Sequence, residues 1–332
     1  MTATRVVGVD VGGSGVRVGV MELGSNAPAL RSDRSVPAKI GADGLDAAAV
    51  LGVVVPAVET LLADSTTGML GTADTIAVGA TGFALLGDEL RDRLPQTLAD
   101  RFRVRRVVLT SDAVTAYAAT IGTGPGVVIA AGTGAVALGL DPERGWRRTD
   151  GWGHLFGDDG GGAWIGREGL AAALRAYDGR PEGSIQLLDA LVRRFGPPEQ
   201  LPGRIQTSPQ RAGLLSSFAP AVAACARDGD AQANSILVRA GRALAETAHA
   251  AAPDDAHAPI GRTGRLFRIG DALLAAFEKR LRELRPCARL TASDGEPLDG
   301  ALGLAAAAAT GTWTLPMDDA LLTLTHFDHV DG

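Results

Sequence analysis

Cysteine and lysine are both scarce in this chain of 332 residues. The two cysteines, Cys225 and Cys287, lie far apart in the sequence, which excludes a disulfide framework and a cysteine-based zinc cluster. Lysine occurs only at Lys39 and Lys279, and the other 30 of the 32 basic residues are arginines. We attribute this bias to genomic composition rather than to mechanism.

Runs of like charge are also absent, and the net charge is a mild −6. Nucleic acid and anionic membranes are therefore poor candidates for the main partner. The segment 113–140 contains no charged residue and is longer than a membrane span requires. Glycine and proline interrupt it at 122–126, and a glycine turn follows at 132–134, so we predict a buried helix and a buried hairpin. The chain begins directly with a predicted strand and shows no signal peptide, so we expect a cytoplasmic protein without a membrane span.

The length and the apolar fraction of 46% suit a globular protein of two α/β domains. Periodicity predicts strands at 5–10, 16–22, 32–37, 75–80, 104–110, 127–131, 135–141 and 287–292. It predicts helices at 45–63, 87–94, 112–121, 162–177, 184–195, 208–227, 230–251, 271–284 and 300–310. We interpret the proline-rich segment 196–209 as a loop and 311–332 as a polar tail.

Two glycine hairpins resemble each other and lie about one domain apart. "GSGVRVGV" (13–20) and "GTGAVALGL" (132–140) each follow an apolar strand and turn on a Gly-hydroxyl-Gly sequence. Each then resumes as a strand. This repeat indicates a duplicated α/β unit with a cleft between the halves.

Glycine hairpins of this kind can bind phosphate groups. Without a Cβ, backbone N–H groups converge into an anion-binding concavity, and Ser14 and Thr133 add hydroxyl donors. Asp10 directly precedes the first turn and suits a hydrated Mg²⁺ beside those phosphates. A single hairpin would more simply be an ordinary tight turn. The repeat together with Asp10 favours nucleotide binding, although neither a Walker A loop nor a GxGxxG after a strand is present.

Six motifs, in order over residues 5–310, resemble the sugar-kinase, Hsp70 and actin superfamily, and within it the N-acetylglucosamine kinase and BadF-type ATPase group. They are "GVDVGGSG", "LTSDAVTAYAA", "AAGTGAVALGL", "GWGHLFGDDGGGAWIGREG", "GRTGRLFRIGDALLAAF" and "LDGALGLAAAA". The fourth motif is the most specific, since it is similar to the sugar-site loop and following helix of N-acetylglucosamine kinases.

The resemblance implies an α/β fold of two actin-like (ribonuclease H-like) domains with a nucleotide and sugar cleft between them. The N-terminal domain would span 1–118 and be completed by a C-terminal segment at about 300–332. The C-terminal domain would span 119–299 and contain a helical insertion. The resemblance also implies a homodimer formed through the helical second domain.

The resemblance assigns site residues as well. Asp112 would be the catalytic base, and Asp10 would hold Mg²⁺ through water. ATP would be bound by Asp10, Gly12, Gly13, Ser14, Gly15, Gly132, Thr133, Gly134, Gly264 and Arg265. The sugar would be bound by Thr81, Asp112, Thr133, Gly151, Trp152 and Asp158. Elementary chemistry agrees with these roles, because phosphoryl transfer requires a positioned acceptor hydroxyl, a proton acceptor and charge neutralisation.

These residues lead to an expected function, with alternatives left open. We expect ATP-dependent phosphorylation of an amino sugar, N-acetylglucosamine or glucosamine, on its 6-hydroxyl. Lys39 and Val136 stand where the family often has asparagine, so a kinase for a different hexose stays open. Arg265 replaces a glycine of the adenosine motif, which leaves the nucleotide preference open. A BadF-like ATPase that energises a partner enzyme is a further alternative, and a non-catalytic sugar sensor is a weaker one.

Overall fold

The computed structural model describes residues 4–12, 15–25, 27–35, 40–41, 44–63, 73–292 and 295–328. The chain forms two compact units, one of residues 1–124 with 293–332 and one of residues 125–292. Its strands are β1 (Arg5–Gly12), β2 (Gly15–Glu22), β3 (Leu30–Arg34), β4 (Ile40–Gly41), β5 (Gly44–Leu45), β6 (Thr75–Ala80), β7 (Arg106–Ser111), β8 (Gly126–Ala131), β9 (Ala135–Asp141), β10 (Gly145–Asp150), β11 (Ile260–Thr263), β12 (Leu290–Ala292) and β13 (Leu322–His326).

Twelve α-helices are found among the described residues. They are α1 (Ala47–Ala63), α2 (Phe83–Leu86), α3 (Asp88–Phe102), α4 (Asp112–Thr120), α5 (Gly162–Tyr177), α6 (Ile185–Phe195), α7 (Leu201–Thr207), α8 (Arg211–Ser216), α9 (Ala219–Arg227), α10 (Ala231–Ala251), α11 (Asp271–Leu284) and α12 (Pro297–Thr310). Short 3₁₀ turns lie at Pro198–Gln200 and Arg265–Arg268. The alternation of strands and helices confirms the predicted α/β class.

The main sheets of the two units share one topology. In the first unit the order is β3-β2-β1-β6-β7-β13, with an antiparallel meander of β1, β2 and β3 followed by parallel β6 and β7. In the second unit the order is β10-β9-β8-β11-β12, again a meander followed by two parallel strands. The repeat seen in the two glycine hairpins therefore extends over both sheets.

The core of the first unit follows from the two-residue period of its strands. Val7, Val9 and Val11 of β1 point into an apolar cluster with α1 and α3. The alternate residues Gly8 and Asp10 lie on the other face, where α12 packs against β1. A Cβ on Gly8 would come within 2.8 Å of the Leu302 backbone nitrogen, so glycine allows this helix to lie close to the sheet.

Helix α12 also packs tightly against α4 at Gly300, where a Cβ would overlap the carbonyl oxygen of Thr115. We expect Gly300→Ala to lower the free energy of unfolding by about 1–3 kcal/mol because of this overlap. Gly303, on the exposed side of the same helix, is the matched control, since no atom lies within 4 Å of its added Cβ. Gly303→Ala should be neutral or stabilising by up to about 1 kcal/mol. Urea unfolding of both variants measures the difference, and equal effects would contradict the proposed packing.

The core of the second unit is mainly helical. Long α10 packs on α11, α9 and α5, and its buried face includes Ile236, Leu237 and Leu244. Gly241 allows the close approach of α11, because a Cβ there would lie 2.8 Å from the Phe277 nitrogen. The helices thereby cover the five-stranded sheet and fix the start of α5 beside the β8–β9 turn.

The charge-free segment forms α4 and the hairpin of β8 and β9, as predicted. In the described part of the chain, no helix combines the length and the apolar character needed to cross a membrane.

Several predicted elements are wrong. The proline-rich segment 196–209 contains helix α7, and the polar tail contains β13, which pairs with β7. The helix predicted at 87–94 extends to Phe102, whereas the helix predicted at 208–227 is divided into α8 and α9. The strands β10 and β11 had no predicted counterpart.

Candidate active site

Three candidate residues of the first unit lie together at the carboxyl ends of neighbouring parallel strands. Asp10 is in β1, Thr81 follows β6, and Asp112 follows β7. The Thr81 N–H donates to the Val11 carbonyl oxygen at 2.9 Å. The Thr81 Oγ1 donates to Asp112 Oδ2 at 2.8 Å. Open α/β sheets commonly place functional groups at this edge.

Asp112 is the first residue of α4, and its surroundings hold it in a defined position. Ser111 caps the helix by accepting from the Val114 N–H at 3.4 Å. Burial raises the pKa of the Asp112 carboxyl above its usual range, while the Thr81 hydroxyl and the Ala113 N–H act in the opposite direction. A fixed carboxylate with increased proton affinity is suited to accept a proton from a substrate hydroxyl.

Asp10 is almost fully buried, with 4% of its surface exposed. Burial raises the pKa of Asp10 to about 6, the Arg17 guanidinium lowers it, and the negative charge of Asp112 raises it further. The Arg17 Nη1 lies 3.0 Å from Asp10 Oδ2. The two aspartates are thus close enough for the charge of one to affect the proton affinity of the other.

Arg17 is a site residue that the sequence analysis missed. It lies directly opposite Asp10 in the β1–β2 pair and opposite Asp33 in the β2–β3 pair. Its Nε is 3.6 Å from Asp33 Oδ2. The turn could have revealed this pairing, because Gly12 is paired with Gly15 and the antiparallel register then places residue 17 beside residue 10.

The first glycine turn is described only in part. Gly12 ends β1 and Gly15 begins β2, whereas Gly13 and Ser14 lie outside the described residues. A Cβ on Gly15 would stand 2.6 Å from the Arg34 carbonyl oxygen, so this position requires glycine. Lys39, the predicted replacement for a sugar-facing asparagine, also lies outside the described residues.

The second glycine turn, residues 132–134, rests on the N-terminus of α5. The Gly132 carbonyl accepts from the Gly162 N–H at 2.9 Å, and the Thr133 carbonyl accepts from the Ala163 N–H at 2.8 Å. The turn is exposed at Gly132 and Thr133. Within the turn the Gly132 N–H donates to the Gly134 carbonyl at 2.9 Å. The Thr133 and Gly134 N–H groups and the exposed Thr133 hydroxyl therefore suit an anionic ligand.

Asp158 lies beside this second turn. A Cβ on Gly134 would lie 2.7 Å from the Asp158 Cγ, so glycine allows the carboxylate to approach the turn. Burial raises the pKa of the Asp158 carboxyl, while the N–H groups of Ala135 and Gly153 act in the opposite direction. The residue is half-buried and has a left-handed backbone, with φ of +57°.

Gly264 approaches the same hairpin from β11. Its φ is +102°, and a Cβ there would overlap the Ala131 carbonyl oxygen at the end of β8. Arg265 follows it as an exposed residue at the start of a 3₁₀ turn. The second unit therefore brings the 132–134 turn, Asp158 and Gly264 together.

Gly151 and Trp152 begin the loop that leads to Asp158. Gly151 has φ of +75° and lies over Val136, whose Cγ2 would be 3.0 Å from an added Cβ. Trp152 is 64% exposed, and the Arg148 guanidinium carbon lies 4.7 Å from its ring centroid. An exposed aromatic face suits stacking on the apolar face of a sugar.

The Asp10 carboxylate fits a hydrated Mg²⁺. Among the described residues there is no group of three or more His, Cys, Asp or Glu side chains that could enclose a metal. Mg²⁺ does not require such a cage, since it keeps several waters and takes one or two carboxylates besides substrate phosphates. Arg17 binds Oδ2 of Asp10, and Oδ1 of this buried carboxylate then suits a water-mediated metal contact.

Comparisons with known proteins give matches over most of the chain. The model of the BadF/BadG/BcrA/BcrD ATPase family matches residues 7–286. An N-acetylmuramic acid/N-acetylglucosamine kinase of Clostridium acetobutylicum is 32% identical over 142 residues, which cover 42% of this chain and 46% of that relative, less than half of its length. An N-acetyl-D-glucosamine kinase of Dictyostelium discoideum is 26% identical over 320 residues, which cover 92% of this chain and 98% of that protein.

Solved structures support the fold. A Chromobacterium violaceum protein proposed to be an N-acetylglucosamine kinase aligns with a TM-score of 0.71 and 24% identity, over 91% of this chain and 99% of that one. A ROK family glucokinase of Streptomyces griseus, solved with glucose and AMPPNP, aligns with a TM-score of 0.52 and 18% identity, over 91% and 98%. At these identities the likeness establishes the fold alone, and it confirms the predicted class of two actin-like domains.

Proposed function

Because the chain belongs to the BadF/BadG/BcrA/BcrD ATPase family, we propose that it is an ATP-dependent kinase that phosphorylates an amino sugar, N-acetylglucosamine or glucosamine, on its 6-hydroxyl. The observation that carries this proposal is the placement of Asp10, which is buried, and Asp112, which is half-buried, at the same edge of one sheet, with Thr81 fixing one oxygen of Asp112. The kinases named among its relatives support the substrate class.

In this mechanism Asp112 is the general base. Thr81 occupies Oδ2 of Asp112, so Oδ1 is the oxygen that accepts the proton as the sugar hydroxyl attacks the γ-phosphorus. The bond from that phosphorus to the β–γ bridging oxygen breaks, and ADP leaves. Fixing the carboxylate before the sugar binds reduces the reorganisation needed at the moment of reaction.

The remaining residues bind and orient the reactants. Asp10 would hold hydrated Mg²⁺ through water near the phosphates, and the bound metal would neutralise charge on the transferring group. The N–H groups of Thr133 and Gly134 would bind phosphate, and Gly264, which lies close against the Ala131 carbonyl oxygen, would border the nucleotide. Asp158 would accept hydrogen bonds from sugar hydroxyls, and Trp152 would contact a sugar face. Gly151 would leave space beside that contact.

A second candidate function is ATP hydrolysis that energises a partner enzyme, which the description of the matching family favours. Such an ATPase that used an iron–sulfur cluster would need cysteine ligands. Only Cys225 and Cys287 are present in the chain, and Cys225 is buried while Cys287 is exposed. The sugar kinase is therefore the better-supported function.

A substrate panel tests the proposal. Release of ADP is measured by a coupled assay with N-acetylglucosamine, glucosamine, N-acetylmannosamine and glucose, each against a sugar-free blank. We expect the highest kcat/KM with an N-acetylated or free amino sugar. A preference for glucose would support the different-hexose alternative, and sugar-independent ADP release would support the ATPase.

The Thr81–Asp112 hydrogen bond gives a pH prediction. The Thr81 hydroxyl lowers the pKa of Asp112, so Thr81→Val raises that pKa, and more of the base is protonated at a given pH. The acidic limb of kcat/KM against pH should therefore move to higher pH. Thr81→Ser keeps the hydroxyl and is the control, whose profile should match the wild type. An unshifted limb in Thr81→Val would argue against Asp112 as the titrating base.

A further inference from the structure

The two ends of the loop that precedes Asp158 are joined by a carboxylate that the sequence analysis did not select. Asp150, the last residue of β10, accepts two hydrogen bonds from the far end of the loop. Its Oδ1 accepts from the Asp158 N–H at 2.7 Å, and its Oδ2 accepts from the Asp159 N–H at 3.0 Å. Both carboxylate oxygens are thus engaged, and the two bonds connect positions eight and nine residues apart.

The local backbone is arranged around these two bonds. Asp150 and Asp158 both have left-handed backbone conformations, with φ of +62° and +57°. Such values are uncommon for residues other than glycine. A Cβ on Gly157 would overlap Asp150 Oδ1, so glycine at that position leaves the space that the carboxylate occupies. Strained backbone conformations of this kind are retained only where surrounding interactions stabilise them. Here the two hydrogen bonds to the Asp150 carboxylate, with glycine at position 157, supply that stabilisation.

We propose that Asp150 is a positioning residue that closes the loop 151–158 and sets the Asp158 carboxylate beside the 132–134 turn for binding an amino-sugar hydroxyl; this inference rests on the proposed function. Both oxygens of the Asp150 carboxylate accept from backbone N–H groups, so we assign it no direct contact with the sugar. Its effect is transmitted through the conformation of Asp158, whose side chain lies against Gly134.

A second aspartate of the same hairpin provides a matched control. Asp141, at the end of β9, accepts from the Glu143 and Arg144 N–H groups at 2.9 and 3.1 Å in the turn between β9 and β10. Its Oδ2 also accepts from the Asp254 N–H at 3.4 Å. Asp141 therefore satisfies backbone donors as Asp150 does, but at the opposite end of the hairpin. A loss of stability should follow either substitution, whereas a change in sugar binding should follow only the substitution at Asp150.

The test compares Asp150→Asn and Asp150→Ala with Asp141→Asn and Asp141→Ala. Asparagine keeps one acceptor and alanine keeps none. We expect KM for the sugar to rise about tenfold in Asp150→Asn and about a hundredfold in Asp150→Ala, with KM for ATP changed less than about twofold. Both Asp141 variants should keep the wild-type KM for sugar. Equal changes in sugar and ATP KM, or an equal effect of the Asp141 variants, would overturn the inference.

Hydrogen exchange measured on the ligand-free protein separates this inference from the proposed function. The amides of Asp158 and Asp159 should be protected in the wild type and lose protection in Asp150→Ala, while amides of α10 stay protected as evidence of folding. Unchanged protection at these two amides overturns the closing role of Asp150, whatever the enzyme phosphorylates. Lost protection with an unchanged sugar KM overturns its role in sugar binding. A wild-type protein that phosphorylates no sugar refutes the proposed function instead, and the exchange result then decides the closing role alone.

Discussion

Asp112→Asn is expected to lower sugar-dependent turnover by about 10²–10⁴-fold, because the amide cannot accept the proton of the attacking hydroxyl. Binding of the sugar and of the nucleotide should stay within a few-fold of the wild type, since asparagine keeps the shape of the side chain and one oxygen for the Thr81 hydroxyl. Stopped-flow or coupled assays give the rate, and calorimetry gives both affinities. Near-wild-type turnover would contradict the assignment of Asp112 as the base.

The same substitution should also stabilise the folded protein at neutral pH. Burial raises the pKa of Asp112 in the folded state, so the folded state binds its proton more tightly than the unfolded chain does. The stability contributed by Asp112 is complete below its unfolded pKa and is lost as pH rises through its folded pKa. The introduced asparagine does not titrate, so the gain in Tm over the wild type should be larger at pH 8 than at pH 4. A gain that does not depend on pH would contradict this electrostatic account.

Asp10→Asn is expected to lower turnover by about 10²–10³-fold through loss of charge at the metal-binding edge. A more specific effect of this substitution is expected on nucleotide binding. Mg²⁺ should strengthen the binding of ADP to the wild type but have little effect on the binding of ADP to the variant. Asp33→Asn is the matched control, because Asp33 is the other carboxylate beside Arg17 yet is 68% exposed. It should keep the Mg²⁺ effect. If Mg²⁺ strengthens ADP binding to Asp10→Asn as much as to the wild type, the assignment of Asp10 to the metal site is wrong.

Asp10 also gives a defined pH window for stability. Its pKa rises from 3.8 to about 6 in the folded protein, so stability falls between about pH 4 and pH 6 and stays lower above that range. A rise of this size corresponds to a loss of up to about 3 kcal/mol at neutral pH, which Asp10→Asn should recover in part. Urea unfolding of the wild type and of Asp10→Asn at pH 4 and pH 7.5 measures this difference in stability. If the variant is less stable than the wild type at both pH values, the expected recovery is contradicted.

The sequence was sufficient to predict those elements whose structure is determined by a local pattern of residues. The strand pairing of the two glycine hairpins and the start of α4 at Asp112 follow from turn chemistry and periodicity, and both are observed. The motif order also led to the family and to the actin-like fold. The residue roles and the predicted domain bounds at 118 and 299 stay predictions, as do the homodimer and the cytoplasmic location.

Other features depend on tertiary partners that no local pattern reveals. The strand β13 lies in a polar segment and is held by its pairing with β7, and β11 has only four residues. Asp150 resembles an ordinary turn aspartate until its partners, the N–H groups of residues eight and nine positions later, are known. Arg17 could have been paired with Asp10 from the hairpin register, but the burial that makes this pair important appears only in the folded unit.

The most direct test of the central claim is product analysis of the wild-type protein with ATP and Mg²⁺, in the presence and absence of N-acetylglucosamine or glucosamine, by ³¹P and ¹³C NMR. Sugar-dependent formation of ADP together with an equal amount of sugar 6-phosphate is the predicted result. ADP and inorganic phosphate formed equally with and without sugar, and no sugar phosphate, would contradict it.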